Sequence, residues 1–117
     1  MSATYGHLVD AFAPLGLAYL SVLHDDPAGR LVQDLRARSG SPLMLNSGFG
    51  TETTRADAES LLDDGTADVV AVGRPFIANP DLVARWQGGH PESAYDPDTV
   101  YGTGAAGYTD YPPISPG

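Results

Sequence analysis

The sequence predicts an α/β protein built on parallel strands, and three observations predict it. Segments with apolar residues at helical spacing alternate with short Val- and Leu-rich runs, in the order helix, strand, helix, strand, helix, strand, helix. Strands separated by helices in this way imply right-handed parallel crossovers. Two consecutive strands also end in glycine turns, at residues 46–50 (Asn-Ser-Gly-Phe-Gly) and 72–74 (Val-Gly-Arg). The chain carries about three βα units, whereas a closed (β/α)8 barrel needs eight and roughly 250 residues. An open three-stranded sandwich would leave apolar strand edges exposed.

The elements follow in order. Residues 5–15 place Leu8, Val9, Phe12 and Leu15 at helical spacing, with Ser2 or Thr4 as a cap and Pro14 and Gly16 as a stop. Residues 17–23 (Leu-Ala-Tyr-Leu-Ser-Val-Leu) form an apolar strand, followed by a turn at residues 25–29. A second helix covers residues 31–38, with Leu31, Val32 and Leu35 on one face, and residues 40–42 (Gly-Ser-Pro) break it. Residues 42–46 make a short buried strand that runs into the first glycine turn. Thr54 with Asp57 resembles a capping box for a helix bearing Ala58, Leu61 and Leu62, which Gly65 ends. Residues 68–72 are an apolar run too short for a helix and suited to a strand covered on both faces. A further helix spans residues 79–86, capped by Asn79 or Asp81. From Gly88 on, Gly, Pro, Tyr and Asp dominate, as in a tail that lies on something or is disordered.

Composition narrows the function. The 117 residues suffice for one modest domain with a core, and the hydrophobic content of 42 % is in the globular range. A net charge of −9 argues against nucleic acid or an anionic membrane as partner. All six basic residues are arginines. Absence of Cys excludes a disulfide framework, a thiolate metal site and a Cys nucleophile. No apolar run approaches the ~20 residues of a membrane span. The first residues lack a basic region followed by an apolar core, so no secretory leader is expected and the cytoplasm is the expected location.

The chemistry concentrates at residues 67–81, where a strand meets a glycine, an arginine and a helix start. Gly73 lets the backbone come close to a ligand, and the planar guanidinium of Arg74 suits phosphate or carboxylate. Pro75 fits a first helical turn, whose free N–H groups attract anions. With the turn at residues 46–50, the pattern fits a barrel's phosphate site, made by the loops after the last two strands plus a short extra helix. Two blander readings stand beside it. The glycines are ordinary turn residues, and Arg74 could pair with a surface carboxylate, which would add little stability. His7, His24 and His90 read as solvated or loop histidines and are not spaced as a metal site. No metal ligand and no catalytic residue is assigned.

These residues also carry a family likeness. Residues 73–82 (Gly-Arg-Pro-Phe-Ile-Ala-Asn-Pro-Asp-Leu) resemble the last-strand motif of the Old Yellow Enzyme family of FMN-dependent ene-reductases. Residues 17–20 (Leu-Ala-Tyr-Leu) resemble its sixth strand and residues 45–49 (Leu-Asn-Ser-Gly-Phe) its seventh. Residues 101–112 (Tyr-Gly-Thr-Gly-Ala-Ala-Gly-Tyr-Thr-Asp-Tyr-Pro) resemble its C-terminal signature. The resemblance implies the C-terminal part of a TIM (β/α)8 barrel: residues 1–88 hold strands 6–8 with their helices, and residues 89–117 are an extended tail packed over the barrel. It implies FMN as cofactor, with Ser47, Gly48, Phe49 and Gly73 offering backbone N–H groups to its phosphate and Arg74 clamping it. NAD(P)H would be the electron donor of the complete enzyme. Tyr101 would line the substrate pocket, and Tyr108, Asp110 and Tyr111 would dock the tail. This chain has Ser47 where the family has a small residue, and its stretch from Gly50 to Arg55 is longer. The family's proton-donor tyrosine and its His/His or His/Asn anchors have no counterpart here.

The leading expectation is therefore part of an ene-reductase, either one piece of a split enzyme completed by a chain carrying the first five strands or a truncated gene product with no function of its own. A second reading is a non-catalytic FMN- or phosphate-binding or assembly module, which pairs its sheet edges with a second copy. A third is a free-standing phosphosugar-binding α/β domain, against which the tail motif counts. The absence of charge and proline along residues 17–23 and 69–72 favours a missing partner.

Overall fold

In the computed structural model, residues 2–48 and 50–114 are described, and Phe49 lies outside them. The elements are α1 (Ser2–Phe12), a 3-10 turn (Ala13–Leu15), β1 (Leu20–Ser21), α2 (Arg30–Ser39), β2 (Leu43–Leu45), α3 (Arg55–Asp63), β3 (Val69–Val70), α4 (Arg74–Ala78) and α5 (Leu82–Gly88). The expected alternation is present, and the strands form one parallel sheet in the order β1-β2-β3. Leu20 pairs with Leu43, Met44 with Val69, and Leu45 with Val70. The chain groups into two compact units: one up to Thr51 together with Ala56–Ala71, the other Glu52–Arg55 together with the chain from Val72 on.

The first unit holds the sheet. Strand alternation puts Leu20, Val22, Leu43 and Leu45 on one face, where they pack with Val32 of α2, Leu61 of α3 and Ala67. The opposite parity is open: Tyr19 and Val69 are largely exposed. The expectation that the third strand is covered on both faces is thus corrected, because α2 and α3 pack on a single face. Strand β1 is also shorter than the apolar run that contains it. Its Leu20 and Val22 N–H groups reach Pro42 and Met44 carbonyls of the β2 side at 2.8 and 3.1 Å, and among the described residues its other edge pairs with no strand. Asp68 ties sheet to helix. One carboxylate oxygen accepts the Leu43 N–H at 2.8 Å and the other takes Arg36 Nη2 at 2.8 Å.

The second unit is helical and polar at its centre. The helix expected over residues 79–86 starts only at Leu82, and the helix start expected at Pro75 is α4. Asn79 ends α4 instead of starting α5, because its side chain turns inward to bond Pro75 and the tail. Asp81 precedes α5 without capping it by its side chain, since its carboxylate takes Arg85 Nε and the Ile114 N–H, each at 2.8 Å.

Candidate phosphate-binding turns

The turn after β2 belongs to the first unit. Asn46 Oδ1 accepts the Gly48 N–H at 3.0 Å, the side-chain mimic of a backbone turn that Asn favours. Gly48 sits at φ +108°, and a Cβ there would lie 2.9 Å from Asp25 Oδ1 and 3.2 Å from Asp25 Cα, so the position demands glycine. Ser47 Oγ donates to Asp57 Oδ2 at 3.2 Å, which fixes the turn to the first turn of α3. The Gly48 N–H assigned to phosphate from sequence is therefore engaged by Asn46 in this conformation, and phosphate would have to replace that acceptor. Phe49, assigned the same role, is outside the described residues.

The turn after β3 opens the second unit and has another character. Gly73 has a negative φ of −104°, so left-handed backbone is not what it provides. No atom lies within 4 Å of a Cβ built there, so nothing in this chain's packing requires a glycine either. What the residue leaves is open space beside Arg74. The Arg74 side chain is exposed and makes no hydrogen bond or ion pair among the described residues. Arg36, Arg38 and Arg85, by contrast, all bond carboxylates. The surface ion pair weighed for Arg74 is thus not formed among the described residues. A bare guanidinium next to backbone that a ligand can approach closely suits a phosphate oxyanion.

The remaining expected residues fall as follows. Tyr101 and Tyr108 are almost fully exposed. Tyr111 Oη accepts the Asp96 N–H at 2.7 Å and Asp110 Oδ1 accepts the Gly107 N–H at 2.8 Å, so these two shape the tail from within. His24 Nδ1 accepts the Asp26 N–H at 2.9 Å, which puts the proton of the neutral ring on Nε2. Among the described residues no group of three or more His, Cys, Asp or Glu could hold a metal ion, and no helix is long and apolar enough to cross a membrane.

Sequence reasoning missed the polar staples. Asn79 is fully buried, donates to Pro75 O (2.8 Å) and Ser93 O (2.9 Å), and accepts the Ser93 N–H (2.7 Å). Arg85, 5 % exposed, adds bonds to Pro91 O and Pro112 O. Apart from Pro75, their backbone partners lie 6 to 27 residues away, which no local pattern reveals. The Asn46–Gly48 turn, in contrast, was readable from Asn two residues before Gly.

A parallel sheet whose second and third strands end in glycine turns, the latter followed by arginine and a short helix, is built from consecutive βα units. No protein-family model matches the sequence. The chain is 33 % identical over 112 residues to a 12-oxophytodienoate reductase-like protein of Solanum lycopersicum, covering 94 % of this chain and 30 % of that protein. It is 38 % identical over 99 residues to a probable flavin mononucleotide-dependent alkene reductase of Leishmania infantum, covering 82 % of this chain and 26 % of the relative. Morphinone reductase, solved in complex with tetrahydroNAD, superposes with a TM-score of 0.81 at 38 % identity, over 97 % of this chain and 31 % of that one. The old yellow enzyme of Trypanosoma cruzi gives a TM-score of 0.77 at 34 % identity, over 97 % and 30 %. The chain is homologous to the C-terminal portion of the Old Yellow Enzyme family of flavin oxidoreductases, and it spans about 30 % of the length of the curated relatives it matches.

Proposed function

We propose that this chain supplies the FMN-phosphate anchor and part of the pocket wall of an NAD(P)H-dependent ene-reductase. The observation that carries the proposal is Arg74: an exposed guanidinium with no partner among the described residues, beside the open backbone of Gly73. Its place in the chain, directly after the third strand of a stretch homologous to flavin reductases, supports FMN as the anion. FMN, when bound, carries hydride from a nicotinamide to the β-carbon of an activated alkene. This chain's residues bind and orient. Arg74 clamps the phosphate, Gly73 gives backbone close approach, and the Ser47–Gly48 turn adds N–H donors once Asn46 Oδ1 is displaced. Residues 1–88 act as the barrel portion and residues 89–117 as the covering tail, with Tyr101 facing substrate. The first five barrel strands of the complete enzyme complete the pocket, and the setting is cytoplasmic. A non-catalytic phosphate-binding module is the weaker reading, because the similarity to reductases extends through the tail.

The test is FMN titration by flavin fluorescence, with the chain alone and in complex with a polypeptide carrying the upstream strands. Losing a charge-assisted phosphate contact is worth about 10- to 100-fold in affinity, so Arg74→Ala should weaken FMN binding by that factor. Riboflavin, which lacks the phosphate, should bind both forms equally. Equal FMN affinity of the two forms would show that Arg74 is not the anchor.

A further inference from the structure

We propose that Asn46 is a placeholder ligand. Its side-chain carbonyl occupies the Gly48 N–H while the turn is empty, and it lowers the affinity of that turn for a phosphate monoester by competing with it. The inference rests on the reading of this turn as a phosphate subsite and adds the residue that sets its strength. Gly48 is buried, and a buried N–H without an acceptor costs about as much as a lost hydrogen bond. Asn46 Oδ1 accepts that N–H at 3.0 Å. Among the described residues the Asn46 side chain makes no other hydrogen bond. It is therefore a neutral acceptor held by one contact, at the donor that an anion would need.

The backbone of the turn is fixed by other groups. A Cβ on Gly48 would lie 2.9 Å from Asp25 Oδ1, 3.2 Å from Asp25 Cα and 3.3 Å from the His24 carbonyl oxygen. The loop after β1 thus packs directly on Gly48, which holds φ at +108°. Ser47 Oγ is tied to Asp57 Oδ2 of α3 at 3.2 Å. With both sides braced, the Asn46 side chain can leave while the N–H stays aimed, which is preorganisation of a donor.

This geometry decides the sign of the effect. Only the form with Asn46 swung away accepts an anion at Gly48, so the apparent affinity is reduced by the fraction of molecules in that form. The net worth of one neutral hydrogen bond corresponds to about 2- to 10-fold in affinity. A residue that merely built the turn would act in the opposite direction, because its removal would loosen the donors. The amide suits a placeholder better than a carboxylate would. An ionised acceptor bonds an N–H roughly twice as strongly, and it would add a third negative charge beside Asp25 and Asp57.

The experiment follows the Gly48 amide of the isotope-labelled chain by nuclear magnetic resonance during titration with inorganic phosphate, with chloride at matched ionic strength as control. Wild type, Asn46→Ala and Asn46→Asp are compared, and FMN and riboflavin titrations follow on the same proteins. Without phosphate, the Gly48 amide of Asn46→Ala should exchange faster by about 2- to 10-fold. With phosphate, Asn46→Ala should bind tighter than wild type by about 2- to 10-fold, and Asn46→Asp should bind more weakly than wild type. FMN should follow the same order, and riboflavin should not distinguish the three. The proposal is overturned if Asn46→Ala, with the remaining amide resonances unmoved, binds phosphate no tighter than wild type. It is equally overturned if Asn46→Asp binds as well as wild type, or if phosphate leaves the Gly48 amide unmoved in every form. The expected phosphate order without FMN binding would leave the placeholder standing and remove the FMN reading. Weakened FMN binding by Arg74→Ala, with the Asn46 variants at wild-type affinity, would do the reverse.

Discussion

The unit around the sheet buries Val32, Leu43, Leu45 and Ala67 behind one face of three short strands, whereas the other unit closes around three buried polar residues, Thr53, Asn79 and Arg85, together with Leu82. The first is held by apolar area and leaves much of it uncovered, since Tyr5, Leu8, Phe12, Tyr19 and Val69 are all exposed. The second is held by directed bonds to backbone carbonyls and amides of the tail. Burial of apolar area is non-directional and accepts more strands at the same face and edge. A buried amide with all its partners in place specifies one conformation of a segment that has no ladder of its own. The difference teaches that one unit is patterned for further packing and the other is self-specified.

That contrast can be broken in three ways, from the largest effect to the smallest. Leu43→Ala leaves a cavity at the centre of the apolar unit and is expected to destabilise it by about 2–5 kcal/mol, read by urea denaturation. Such a loss is a large fraction of a small domain's total stability of about 5–15 kcal/mol. Asn79→Ala removes three hydrogen bonds from the polar unit and orphans the Ser93 N–H. We expect about 1–3 kcal/mol of destabilisation, with amide exchange at Ser93 rising while exchange at Leu43 and Leu45 stays unchanged. If the sheet amides exchanged equally fast, the two units would not be separately specified.

The third and smallest is acidification. Asp81 is held below its ordinary value of 3.8 by the Ile114 N–H and then by Arg85. Asp68 is likewise held down by the Leu43 N–H and then by Arg36. A carboxylate whose pKa is lowered on folding stabilises the folded state above its unfolded pKa and loses that contribution as pH falls through the folded value. Protection of the Ile114 and Leu43 amides should therefore be constant above about pH 5 and decline on the acid side of 3.8. Asp81→Asn should remove the decline at Ile114 and leave that at Leu43. Acid exchange at Ile114 that ignored this substitution would show that Asp81 does not hold the tail.

Much of the fold was legible. Helical spacing located α1, α2 and α3, Val- and Leu-rich runs located the strands, and their alternation predicted the parallel sheet now observed. Gly16, Gly40 and Gly65, at positive φ where a helix or helical turn stops, were readable because only that backbone favours glycine so strongly. The candidate anion residue Arg74 was legible by chemistry, and its lack of a partner among the described residues became visible only in three dimensions. The helix start at Pro75 and the further helix after Asn79 were both legible, but the role of Asn79 was not, because Asn79 serves equally as a local cap or as a buried staple, and the choice depends on Ser93. The open face of the sheet was missed for a related reason. An apolar run has the same composition whether or not something covers it.

By itself, the sequence determined the order of elements, the parallel strand class and the identity of the glycine turns, since spacing, propensity and turn chemistry act over a few residues. The tertiary structure decided which apolar residues are buried, and that Asn79, Asp81 and Arg85 tie α4 and α5 to the tail. Those outcomes depend on which groups meet across tens of residues, where burial turns a polar side chain from a solvated one into a specific bond.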